Sequence, residues 1–96
     1  MNIPNIIKIG ATTYEVELLE HWPGKEEGDF AEYDPRNNKI FLDNSLPHNQ
    51  LELAFLHEIF HAINSELDEF QVDALAFAMH GILNENNLCD IPHRGE

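Results

Sequence analysis

Apolar and polar residues alternate early in the chain. Thr12, Tyr14, Val16 and Leu18 interleave with Thr13, Glu15 and Glu17, a period of two that places one face of a strand in a core and the other in water. Residues 3–9 read as a preceding strand, with Gly10-Ala11 as a tight turn between the two. Residues 21–29 carry Pro23, Gly24, Gly28 and four charges, which marks a loop. Phe30-Ala31-Glu32-Tyr33 and Lys39-Ile40-Phe41-Leu42 read as short strands. The segment Asp34-Pro35-Arg36-Asn37-Asn38 between them has the turn chemistry of a hairpin.

From about Asn49 the period becomes helical. Leu53, Leu56, Phe60 and Ile63 form an apolar stripe expected to pack on the sheet. Ala54, Glu58 and His61, with His57 beside them, share a neighbouring face expected to line a cleft. Asn64-Ser65-Glu66 ends the helix. A second helix opens with Asp68 at the N-cap and Gln71 at N3, a capping box, and Leu67 and Val72 stand where a hydrophobic staple would place them. Leu75, Met79, Ile82 and Leu83 extend its apolar side to about Asn84, and residues 85–96 read as a loose polar tail. The pattern predicts one α+β domain over residues 1–84. Its small antiparallel or mixed sheet, of three or four short strands, packs against two C-terminal helices.

Composition narrows the class. Of the 96 residues, 43% are hydrophobic and 24% charged, as in an ordinary folded domain with one modest core. No apolar run approaches a membrane span and no basic-then-apolar leader opens the sequence. The single cysteine, Cys89, forms no internal disulfide. Together these predict a cytoplasmic protein with no membrane partner. A formal charge of −13, with five Lys and Arg, argues against nucleic-acid binding. It predicts high solubility and attraction for divalent cations, and leaves open an acidic decoy for a nucleic-acid enzyme.

The candidate chemistry lies in His57-Glu58-Ile59-Phe60-His61. Histidines four apart sit one helical turn apart on one face, so both imidazoles can converge on one metal ion. With six histidines in the chain, composition alone gives roughly a 4% chance of such a match, so the flanking residues must decide. A catalytic zinc takes three protein ligands and leaves a position for water. Glu69, in the first turn of the second helix and eight residues after His61, is the candidate third ligand. Asp73 is its rival, better suited by its short reach to accept a histidine N–H. Glu66 and Asp68 are near in sequence, but Asp68 is already explained as a cap. His80 lies too far along the helix to share a metal with Glu69 and reads as a surface or groove residue. Glu58, beside the first histidine, is the candidate general base.

These residues carry a resemblance. Leu56-His57-Glu58-Ile59-Phe60-His61-Ala62-Ile63, a short turn, then Glu69-Phe70-Gln71-Val72-Asp73-Ala74-Leu75-Ala76 resembles the gluzincin-type zinc metallopeptidases. The short, ImmA/IrrE-like members found in phages and mobile elements are the most similar. In that group an E-x-x-A-x-x-(F/L)-A segment follows the H-E-x-x-H helix; Val72 stands where alanine is frequent. The resemblance covers residues 50–84 and implies a minimal zincin-like fold, with zinc held by His57, His61 and Glu69 and Glu58 as catalytic base. It also implies an edge strand beside the active helix that holds substrate backbone, a role Lys39 to Leu42 would fill. Tyr33, His48 and His80 are the candidates for stabilising an oxyanion. The expected function is hydrolysis of a peptide or protein substrate. The alternative is a zinc-binding regulatory or interaction module that cleaves nothing.

Overall fold

The computed structural model describes residues 2–20 and 31–88. Four strands, β1 (Ile6–Ile9), β2 (Thr12–Leu19), β3 (Ala31–Asp34) and β4 (Lys39–Asp43), precede two helices, α1 (His48–Ile63) and α2 (Glu69–Glu85). The fold is α+β, as the pattern predicts, and of the antiparallel or mixed sheet of three or four strands it left open, the sheet is mixed and four-stranded. The loop expected over 21–29, Phe30 and the tail from Cys89 onward lie outside the described residues.

Local chemistry explains the two turns. Gly10, between β1 and β2, has φ of 61°, a left-handed conformation that glycine adopts without strain. Between β3 and β4 the Asp34 carboxylate accepts from the backbone N–H of Arg36 at 3.1 Å and from Asn37 Nδ2 at 2.8 Å. Asn38 completes the turn at φ of 52°, which asparagine tolerates better than most residues.

The strand order is β1-β2-β4-β3, with β4 parallel to β2 and antiparallel to β3. This corrects one expectation. Lys39 to Leu42 is an interior strand, and among the described residues the edge next to it is β3. Burial accounts for the difference: Ile40 and Leu42 are 0% exposed and need cover on both sides, whereas Ala31-Glu32-Tyr33-Asp34 is polar enough for an edge.

Tyr14 and Val16 of β2, Ile40 and Leu42 of β4, and Leu51 and Phe55 of α1 form the core, with Ile59 and Ala62 packed against it. The stripe expected on α1 is therefore rotated. Leu51, Phe55 and Ile59, spaced four apart, meet the sheet, while Ile63 is 56% exposed. Leu56 is buried outside that cluster, as are Val72 and Ala76 of α2, the helix that packs along α1. One helix thus serves two partners, and a single stripe could not describe it. The apolar side expected on α2 is also revised, because Leu75, Met79 and Ile82 remain substantially exposed. No described helix is long and apolar enough to cross a membrane.

Candidate metal centre

The site is built where α1 turns into α2. Asn64 caps α1 by donating its backbone N–H to Phe60 O at 3.0 Å, and its side chain accepts from Glu66 N at 3.0 Å. The capping box then starts α2. Asp68 Oδ1 accepts from Gln71 N at 2.8 Å, and Gln71 Oε1 accepts from Asp68 N at 3.0 Å. This tight reversal returns Glu69, the first residue of α2, to the histidine face.

His57 Nε2 and His61 Nε2 are 3.0 Å apart. Glu69 lies 3.0 Å from His57 Nε2 through Oε2 and 2.9 Å from His61 Nε2 through Oε1. One donor atom from each residue thus falls within 4.8 Å of the other two. Asp73, one turn along α2, takes the other side of the ring, with its Oδ1 2.9 Å from His57 Nδ1. The two carboxylates weighed for one role therefore occupy two: Glu69 completes the donor triangle and Asp73 orients a histidine within it.

Tautomer chemistry shows what this arrangement can hold. Carboxylates only accept, and His57 meets one at each ring nitrogen, Asp73 at Nδ1 and Glu69 at Nε2, so a neutral ring can donate to just one of them; donation from Nδ1 to Asp73 leaves Nε2 without a proton. On a neutral imidazole the Nε2 lone pair then faces the Glu69 oxygen and the second histidine. Acceptors converging this closely repel unless a cation, metal or proton, lies among them. Two imidazoles, a carboxylate and an outer carboxylate on Nδ1 form a donor set suited to a divalent transition metal.

Glu58 is 6% exposed, with Oε2 3.9 Å from His57 Nε2. Burial pushes its carboxyl up to about 7; His57 pulls it down, while Glu69 and Glu32 push it further up. A carboxyl poised there can take and return a proton near neutrality.

The cleft beside these groups has a volume of about 590 Å³ and is lined by the apolar Leu46, Leu53 and Phe77 together with His57, Glu58, Glu69 and Asp73. Ala31 of β3 also reaches it.

Each of the three oxyanion candidates has a partner outside the triangle. Tyr33 packs edge-on against Tyr14 with ring centroids 5.9 Å apart, and its hydroxyl, hydrogen-bonded with Tyr14 and partly desolvated, is pushed up to about 12. His48 and His80 instead clasp Glu52. Glu52 is 1% exposed; its Oε1 is 2.8 Å from His80 Nε2 and its Oε2 3.0 Å from His48 Nε2. Burial alone would raise its pKa, but the His80 hydrogen bond and the His48 charge help bring the net shift below the ordinary 4.5. The sequence reading missed this cluster. Its one local signal was His48 and Glu52 at i and i+4, and the interhelical partner has no signature in the sequence.

Comparison with protein-family models, with curated proteins and with solved structures finds no match to this chain.

Proposed function

We propose that the protein is a zinc-dependent peptidase. The observation that carries this reading is the convergence of His57, His61 and Glu69 on one point, with Glu58 buried beside it. Zinc bound there would acidify a water molecule and polarise a peptide carbonyl. Glu58 would take the proton from that water and deliver it to the leaving amine. Asp73 keeps the His57 lone pair aimed inward. Among the described residues β3 is the outer strand of the sheet and its Ala31 lines the cleft, so an extended peptide would run beside it.

A second reading has its own support. Tyr33, His48 and His80 are engaged elsewhere, which favours a zinc-bearing module that binds without cleaving. Elemental analysis and a mixed fluorogenic-peptide assay separate the two. About one zinc per chain, lost in His61→Ala and weakened in Glu69→Ala, is expected. Glu58→Gln should keep its zinc and lose cleavage. Cleavage that survives Glu58→Gln sinks the peptidase mechanism, and zinc without any cleavage in the wild type supports the binding module.

A further inference from the structure

The cleft combines apolar walls with uncompensated negative charge. Glu58, Glu69 and Asp73 line it, and no Lys or Arg does among the described residues. The imbalance is wider than the cleft: from Ile40 to His93 the chain contains no Lys or Arg at all. A divalent ion at His57, His61 and Glu69 would offset two of these charges; Glu66 and Asp68 in the turn between α1 and α2 add two more, again with no Lys or Arg in that segment. At the rim stands Phe77, one turn beyond Asp73 on α2 and 71% exposed. An aromatic ring held in water beside a candidate active cleft is a contact surface for an apolar ligand group.

We propose, building on the metal-centre reading, that the cleft takes a cationic peptide segment. Its bulky apolar residue sits against Phe77 and Leu53, and Lys or Arg flank that residue. The apolar side chain removes the exposed ring and the cleft wall from water. The flanking cations meet Asp73 and Glu69 and the acidic helical layer around them, which also steers the encounter. The same field repels anionic ligands, so acidic peptides and nucleic-acid phosphates are poor occupants.

Fluorescence anisotropy on the zinc-loaded Glu58→Gln variant tests this without requiring turnover. Three labelled peptides share a Leu-Phe core and differ in flanks of Lys, Ser or Glu; a fourth keeps the Lys flanks around a Ser-Gly core. The Lys-flanked Leu-Phe peptide should bind at least about ten-fold tighter than the Glu-flanked one, and the gap should shrink in about 0.5 M salt. Adding Phe77→Ser, at a position exposed enough to spare the fold, should weaken the Lys-flanked Leu-Phe peptide about ten-fold and leave the Ser-Gly peptide unchanged. Equal binding of Lys- and Glu-flanked peptides, indifference to Phe77→Ser, or no binding at all overturns the proposal. Zinc content is read separately. A zinc-free chain that still selects the cationic apolar peptide supports the docking inference and overturns only the metal reading.

Discussion

Glu58 keeps a carboxyl where water barely reaches, at 6% exposure, and that has a signature independent of catalysis. Its folded pKa of about 7 lies above the ordinary 4.5. A raised carboxyl contributes stability that is fully present below 4.5 and is lost as pH rises through about 7. The difference is on the order of 3 kcal/mol. Metal-free wild type should therefore lose melting temperature from pH 5 to pH 8, and Glu58→Gln should lose much less; parallel pH profiles would contradict the assignment. Asp73 makes a different prediction. Asp73→Asn removes the acceptor that fixes the His57 tautomer, so zinc affinity in a chelator competition should fall about 10–100-fold while stoichiometry is kept. At this scale much was legible. Histidines four apart, a capping box and an acidic residue on each of the next two turns are local patterns. Glu52 was not legible, because a charge between Leu51 and Leu53 looks like a solvated helix position until His80 arrives from another helix.

The helical hairpin of α1 and α2 is tied at two places. His57, His61 and Glu69 join the helices beside the turn, and Glu52 with His80 joins them toward the open end. His80→Ala leaves a nearly inaccessible carboxylate with one partner fewer. It should cost about 2 kcal/mol at neutral pH, read as a shift in the urea midpoint. Because the Glu52 pKa is lowered, the stability it contributes is present above 4.5 and is lost as pH falls through its folded value. The gap between wild type and His80→Ala should accordingly narrow in acid; a constant gap refutes the link. Most element positions were legible to within a residue or two, because turn and cap residues mark them; β1, read from residue 3, starts only at Ile6. Element orientation was less so. α1 has apolar residues on more than one side, and which side meets the sheet depends on where β4 lies, a long-range fact.

Across the whole molecule, a charge of −13 on 96 residues disfavours the compact state through self-repulsion. Metal-free protein should melt higher in salt. Free zinc at about 100 times its Kd should add about 2.7 kcal/mol, or roughly 10–20 °C for a domain of this size. A zinc response no larger than the salt response would reduce the ion to generic screening. The α+β class was legible because alternation and helical period succeed each other along the chain, but the parallel pairing and the order β1-β2-β4-β3 were not, since no local pattern says which strand goes inside.

That order bears on the route by which the chain reaches its native state. Glu15 pairs with Lys39 and Leu19 with Asp43 in parallel, each across a separation of 24 positions. Such a pairing must close a long loop before it gains any contact, and it cannot close within a tight hairpin. His61 and Glu69, by contrast, are eight positions apart, and β3 meets β4 through a four-residue hairpin loop. Local closures are fast and distant ones slow. The docking of β4 against β2 is therefore the step expected to limit refolding, and the turn that carries His61 and Glu69 belongs to the part of the protein expected to organise first.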